Sequence, residues 1–248
     1  MKISIVTVCR NSAGTIADCM ASVKAQTYGD LEHIIVDGDS KDRTLELIKE
    51  QSSGISQWIS EPDSGIYDAM NKGISLATGE IIGFLNSDDI YADTDILSVV
   101  AGIFSENEID ACYGDLLYVS RNDTDKIIRN WKSCELDYQL FKKGWHPPHP
   151  TFFVKKSLYQ KYGAFDTKYE IAADYALMLK LLYKHRIKAK YIKKVLVKMR
   201  TGGNSNASFG NVLRANFECY RAWKEYGLDI SPLFILRKPL SKIFQYRI

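Results

Sequence analysis

IIGFLNSDDIY, residues Ile81 to Tyr91, decides how this chain is read. Ile81, Ile82, Gly83, Phe84 and Leu85 form an uninterrupted apolar run of strand length, as expected of a strand buried on both faces. It runs directly into Asn86, Ser87, Asp88 and Asp89, so the strand aims a cluster of oxygen ligands. Two adjacent carboxylates repel each other and lose hydration unless a cation, a ligand hydroxyl or a helix N-terminus compensates them. An oxygen-only set suits Mg or Mn, which keep waters and bind one or two carboxylates together with substrate phosphates. The competing expectation is that Asp88 and Asp89 cap a helix starting near Asp93.

Upstream of this stretch, strands and helices alternate from the first residues. Ile3 to Val8 is a continuous apolar strand, and Asn11 and Ser12 offer N-caps for a helix with Ile16, Met20 and Val23 on one face. Leu31 to Val36 reads as a second buried strand ending at Asp37, and GDSKDRT turns into a helix through Leu45 and Ile48. Ser56 to Ser60 is a short third strand, and Glu61 to Gly65 form a loop. Ile66 to Ala77 is a helix with Ile66, Met70, Ile74 and Ala77 at helical spacing. Such alternation implies a mostly parallel sheet with right-handed crossovers and helices on both faces. Ligands sit at the carboxyl ends of strands in such sheets, where Thr7, Asp37, Asp63 and Asp88 all fall.

Downstream the pattern becomes mixed. Ile96 to Phe104 reads as a helix, Ala111 to Val119 as a strand, and Lys126 to Trp131 as its hairpin partner across the turn Arg121 to Asp125. WHPPHP, from Trp145 to Pro150, is barred from helix by its prolines and predicts an ordered loop. A short strand at Thr151 to Val154, a helix from Lys156 stopped by Gly163, and a helix from Ala172 to Tyr183 follow. Ala189 to Met199 supplies strand, TGGNSN (201–206) a flexible loop, and Phe209 to Tyr226 a long amphipathic helix.

With 248 residues and 46% hydrophobic content, the chain has enough material for one sizeable core. A net charge of +3 is too mild to argue for nucleic acid. The five cysteines are odd in number, widely spaced and without a CxxC pair, which argues against a disulfide framework or zinc site and for a reduced, cytoplasmic setting. The apolar run after Met1 and Lys2 is too short for a signal-peptide core, and no run reaches the roughly 18 apolar residues of a membrane span.

Six stretches in order carry a resemblance: SIVTVCRN, IIVDGDSKDRT, SEPDSGIYDAMNKG, GFLNSDD, HPTFFVKKSLYQKYGAFD and AADYALMLKL. Together they resemble the inverting GT-A glycosyltransferases of family two, more narrowly the bacterial members that build O-antigen, capsule and similar surface polysaccharides. The resemblance spans roughly residues 2 to 205. It implies the GT-A fold, with a nucleotide-binding half over 1–110, an acceptor half over 111–205, and a C-terminal helix and tail over 206–248. It also implies a nucleotide diphosphate sugar donor, UDP-linked, and a lipid-linked saccharide acceptor.

The roles implied can be set against plainer ones. Thr7 and its neighbours Arg10 and Asn11, with Asp37 and Asp63, would hold the base and ribose. Asp37 could equally be a turn former, and Asp63 an N-cap for the helix at Ile66, a task open to Ser64 as well. Lys72 pairs with Asp68 at i, i+4 or reaches phosphate. The family's Asp-x-Asp metal motif stands here as Asn86, Ser87, Asp88; the change at Asn86 removes a charge and keeps an oxygen. Asp88 would ligate Mn or Mg, with Asp89 and His149 as further metal contacts; His149 could instead be structural. Asp174 in AADY would be the base that deprotonates the acceptor, or a carboxylate stabilised by a helix N-terminus. The glycines of TGGNSN would let that loop close over donor. From Pro232 to Ile248 four basic residues, Arg237, Lys238, Lys242 and Arg247, are interleaved with large apolar ones and no acidic ones. That predicts contact with an anionic membrane surface, a tail helix packed on the domain, or a dimer contact. Two competitors remain: a nucleotidyltransferase, for which NSAGT is a poor phosphate loop, and a non-catalytic nucleotide-sugar-binding module.

Overall fold

A computed structural model describes residues 1–202 and 209–235. Most of the TGGNSN segment and all four basic residues of the tail therefore lie outside the described residues. No helix of the described part is long and apolar enough to cross a membrane.

The first half is a run of alternating elements: β1 (Ile3–Cys9), α1 (Ile16–Lys24), β2 (Leu31–Asp37), α2 (Thr44–Glu50), β3 (Gln57–Ser60), α3 (Ile66–Leu76) and β4 (Ile81–Phe84). Every residue of β1 and β4 is buried, as the apolar runs require of strands covered on both faces. β3, β2, β1 and β4 lie side by side and all pair in parallel. The register places Cys9 opposite Asp37 and Asp37 opposite Ser60, so one rim collects the strand ends. α3 lies so close on β1 that a Cβ on Gly73 would stand 2.2 Å from Val6 Cγ1.

The second half comprises β5 (Asp89–Tyr91), α4 (Ile96–Glu106), β6 (Ala111–Ser120), β7 (Asp123–Trp131), α5 (Tyr138–Lys142), β8 (Phe153–Lys155), α6 (Lys156–Tyr162), α7 (Ala173–Met178), β9 (Ala189–Arg200) and α8 (Phe209–Glu225). Among the described residues the sheet continues from β4 through β8, β6 and β9 to β5, with β7 as the hairpin partner of β6. β8 runs antiparallel between β4 and β6, and β9 runs parallel to β6. The sheet is thus parallel in its first half and mixed in its second. This is the α/β architecture that the alternation predicts, flanked by helices and ending in a helical C-terminal region.

Four expectations change. Ile66 is 47% exposed, and Tyr67, Ala69, Met70, Gly73 and Ile74 form the buried face of α3 instead. The helix expected from Ala172 to Tyr183 is a six-residue α-helix that continues as a π-helical segment, Leu179–Lys184. The helix after Tyr91 starts at Ile96 behind Asp95, so Asp88 and Asp89 do not cap it; Asp89 opens β5 and pairs with Met199. Phe234, expected in an interfacial tail, is 1% exposed against Trp223 and Tyr175.

Candidate active site

Three loops close on one another at the strand-end rim. Asn11, in the left-handed region at φ 52°, donates its N–H to Ser40 Oγ at 2.8 Å and accepts from Lys41 N–H at 2.9 Å. Ser12 N–H reaches Thr44 Oγ1 at 2.7 Å, and Ala13 N–H reaches Asp42 Oδ2 at 3.0 Å. The hydroxyls of Ser12 and Ser87 meet at 2.8 Å, tying the loop after β1 to the loop after β4.

Beneath this rim, Asp37 and Thr7 have internal duties. Asp37 is fully buried and accepts from Ser40 N–H (3.0 Å), the Ser40 hydroxyl, Ser60 Oγ (2.7 Å) and Cys9 Sγ (3.5 Å). Its oxygens are held by donors from the following turn, from β3 and from β1, so the Asp37 carboxylate fixes the shape of the loop after β2. Thr7 is also 0% exposed, with its hydroxyl 3.0 Å from His33 Nε2, because its side chain points into the layer below the sheet.

At this end Arg10 is exposed and Asp63 half-buried, both lying against the buried Gly38. Asp63 Oδ1 accepts from Gly65 N–H at 2.9 Å, a turn contact made possible by Gly65 at φ 123°. Asp63 Oδ2 lies 2.1 Å from where a Cβ on residue 38 would stand, and Arg10 Cδ lies 3.5 Å from that point. Only glycine permits this approach. Lys72 is occupied elsewhere, donating to Pro62 O at 2.8 Å and pairing with Glu61 at 2.8 Å and Asp68 at 3.7 Å.

At the end of β4 the Asp88 carboxylate is half-buried and takes no hydrogen bond from a described residue. Its backbone carbonyl accepts from Arg200 Nη1 at 2.9 Å; Arg200, 6% exposed, also pairs with Asp18 at 2.5 Å and donates to Arg121 O at 3.1 Å. Asn86 Oδ1 and Asp89 Oδ1 are buried without hydrogen-bond partners among the described residues. Burial, reinforced by the neighbouring Asp88 charge, pushes the Asp89 carboxyl well above the usual carboxylate range. Asp89 is itself 0% exposed.

His149 is 8% exposed, stacked on Phe84 at 5.5 Å and edge-on to Phe165 at 5.6 Å. Burial lowers its pKa, and the Asp174 charge opposes that only in part. Among the described residues no three His, Cys, Asp or Glu side chains are grouped to hold a metal. The expected set of Asp88, Asp89 and His149 is therefore not assembled, and Asp88 stands alone as an accessible carboxylate at this strand end. The half-buried Asp88 carboxylate suits a cation whose other ligands are substrate phosphates and water.

Asp174 sits in the first turn of α7. Its Oδ1 accepts from Tyr175 N–H at 2.7 Å and from the Tyr67 hydroxyl at 3.3 Å, while Oδ2 takes no hydrogen bond from a described residue. The single Tyr67 proton is shared between Asp174 Oδ1 and Ile171 O, which lies closer at 2.7 Å; burial first, then the Asp174 charge, hold its phenol well above its ordinary pKa, so it stays a donor. Tyr67 stacks on Phe165, which meets Phe84 edge-on at 5.3 Å. One aromatic cluster thus supports both the β4 end that carries Asp88 and the α7 turn that carries Asp174. Tyr67, Phe165 and Arg200 went unnoticed in the sequence because a core tyrosine, a core phenylalanine and a strand-end arginine carry no local signal of such a role.

Comparison with known proteins gives a consistent answer. The family profile described as Glycosyl transferase family 2 matches residues 4–163. A PGL/p-HBAD biosynthesis glycosyltransferase of Mycobacterium bovis is 31% identical over 208 residues, covering 82% of this chain and 78% of its own. An uncharacterized glycosyltransferase of Mycobacterium tuberculosis is 30% identical over 184 residues, covering 72% and 68%. Among solved structures, S. aureus TarS in complex with UDP-GlcNAc superposes with a TM-score of 0.73 at 16% identity, over 100% of this chain and 74% of that one. The mannosyltransferase PcManGT from Pyrobaculum calidifontis, in complex with GDP-Man and Mn2+, gives 0.66 at 16% identity over 97% and 68%.

Proposed function

Because the chain belongs to glycosyl transferase family 2, has the GT-A fold and is accordingly a glycosyltransferase, we propose that it is a metal-assisted inverting enzyme. In this reading it transfers a hexose or N-acetylhexosamine from a UDP-sugar to a lipid-linked glycan during surface-polysaccharide assembly. The observation that carries it is the contrast at Asp174, where one oxygen is held by Tyr175 N–H and Tyr67 and the other is free. A fixed carboxylate with one open oxygen is the arrangement a general base needs.

The roles divide along the rim. Arg10 and Asp63, lying over Gly38, receive the nucleoside, and Asn11, Asp37 and Ser87 shape the loops around it. Asp88 would hold Mn or Mg, which would supply positive charge to the departing nucleoside diphosphate. Asp174 Oδ2 accepts the acceptor hydroxyl's proton as that oxygen bonds to the anomeric carbon and the bond to phosphate breaks on the opposite face, inverting the centre. The neighbours' complexes with UDP-GlcNAc and with GDP-Man and Mn2+ support a nucleotide-sugar donor and a divalent ion. The basic tail would hold the enzyme against the cytoplasmic membrane face, near a lipid-linked acceptor.

A thermal-shift panel of UDP-, GDP-, dTDP- and CDP-sugars, each with Mn and with EDTA, tests the donor site. The expected result is stabilisation by UDP-sugars that EDTA removes, since a ligand binding only the folded state raises its stability. No shift with any nucleotide in either condition overturns the assignment.

A further inference from the structure

Glu218, on α8, is 5% exposed, and its carboxylate gathers three successive backbone donors: Glu170 N–H at 3.1 Å on Oε1, and Ile171 N–H at 3.0 Å and Ala172 N–H at 2.9 Å on Oε2. These N–H groups open the turn into α7, whose N-cap residue, Ala172, provides no side-chain hydrogen bond. The Glu170 and Ile171 N–H groups belong to the chain leading in, while the first N–H groups of a helix, of which the N-cap Ala172 N–H is one, have no partner within the helix and need one from outside. Here it comes from a residue 46 positions away in sequence from Ala172.

We propose that Glu218 is a positioning residue for group transfer, setting the first turn of α7 so that Asp174 presents its free oxygen to the acceptor. The proposal rests on the reading of Asp174 as the base. α7 has only six residues before its π-helical continuation, and so short a helix has little rigidity of its own. α8 grips it on both sides of Asp174: Glu218 holds residues 170–172, and Trp223 Nε1 donates to the Tyr175 hydroxyl at 2.8 Å. From the other side the Tyr67 proton is shared between Ile171 O and Asp174. α8 is already anchored by Cys219, Ala222 and Trp223, each 0% exposed. A buried carboxylate adds a desolvation cost that an apolar residue at 218 would avoid, and that cost is offset by the three N–H bonds to this turn. Arg214, whose Nε is 3.7 Å from Glu218 and which also pairs with Glu170, steadies the same junction.

The test uses the full chain with Glu218→Ala, Glu218→Gln, Asp174→Asn and the double variant Asp174→Asn/Glu218→Ala. Release of nucleotide from UDP-N-acetylglucosamine, UDP-galactose and GDP-mannose with Mn is measured, using whichever donor the wild type consumes. Because a 1 Å misplacement of a catalytic group can cost about 100-fold, Glu218→Ala should lower kcat by roughly 10- to 100-fold with donor KM unchanged. Glu218→Gln, which keeps one oxygen for Ile171 and Ala172, should restore most of the rate. On the Asp174→Asn background Glu218→Ala should cost almost nothing, since residues acting as one unit are not additive. Hydrogen exchange in the segment 169–177 should quicken in Glu218→Ala and not in Asp174→Asn, a readout independent of substrate. If Glu218→Ala does not fold, Glu218→Gln alone and on the Asp174→Asn background carries the same comparison, with a smaller loss in the first and none in the second. Undisturbed exchange, or a Glu218 loss that persists on the Asp174→Asn background, overturns the proposal and leaves Asp174 standing. Full turnover by Asp174→Asn removes the base itself and the proposal with it.

Discussion

Asp37, Asp88 and Asp174 are the same residue type with three different fates, and the difference lies in their hydrogen bonds. Among the described residues, Asp37 spends its oxygens on Ser40, Ser60 and Cys9, Asp174 keeps one oxygen without a hydrogen bond, and Asp88 keeps both. Removing the base function at constant shape should therefore separate binding from chemistry: Asp174→Asn is expected to lose roughly 10²- to 10⁴-fold in kcat while calorimetry finds donor affinity intact. Gly38 permits the converse experiment. A Cβ in Gly38→Ala would occupy the place of Asp63 Oδ2, the mobile end of a side chain, so the protein should fold normally. Donor KM should rise severalfold with little change in kcat; an unchanged KM would count against Asp63 as a donor contact. The motifs made Asp88 and Asp174 legible as candidates. That Thr7, Asp37 and Asp89 face inward was not legible, because strand registers and loop closure decide where a side chain points.

At the scale of elements, the apolar periodicities were sufficient for β1, β2, β4 and α1, whose buried faces match the spacing. They were insufficient where a partner defines the element. β5 is three residues long and exists because Asp89 to Tyr91 pair with β9. The switch from α to π hydrogen bonding at Leu179 leaves the apolar pattern of Leu177, Met178, Leu181 and Leu182 unchanged, so no periodicity reveals it. α3 against β1 is the contact that brings Tyr67 toward Asp174, and it depends on the missing side chain at residue 73. Gly73→Ala would drive a methyl into Val6, a branched side chain with no room to retreat. Overpacking of this kind costs about 1–3 kcal/mol, which a lower denaturant midpoint at unchanged slope would register.

For the molecule as a whole, acid should act through two buried groups. Burial alone would raise the Glu32 pKa, yet hydrogen bonds from Ser4, Thr78 and Lys2 outweigh it and bring it from 4.5 to about 2. A depressed carboxylate pKa stabilises fully above 4.5, and that contribution is lost as pH falls from 4.5 toward 2. Each pKa unit is about 1.4 kcal/mol, so the full effect is about 3 kcal/mol. His33, held neutral by burial with its pKa lowered to about 4, begins to destabilise the fold once pH falls below 6.5, because only the unfolded chain then takes up its proton. Urea midpoints of wild type and Glu32→Gln should thus differ most near neutral pH and converge toward pH 2; parallel curves would assign the acid response elsewhere. The tail calls for a different measurement. Because Phe234 belongs to the core, the informative truncation starts after Ile235, and flotation with anionic vesicles should weaken on removing residues 236–248. Equal flotation of both forms would exclude the tail as the membrane contact.

The sequence by itself determined the α/β alternation, the family, and the order of carboxylates along one rim, because these depend on apolar spacing and on motifs that are local in the chain. Tertiary structure alone decided which of those carboxylates keep free oxygens, and it brought Tyr67 of α3 and Glu218 of α8 to the turn that carries Asp174. The physical reason is distance along the chain. Tyr67 and Asp174 are 107 residues apart, and Glu218 and Ala172 are 46 apart; contacts of that range exist only once the sheet registers and helix packing are in place.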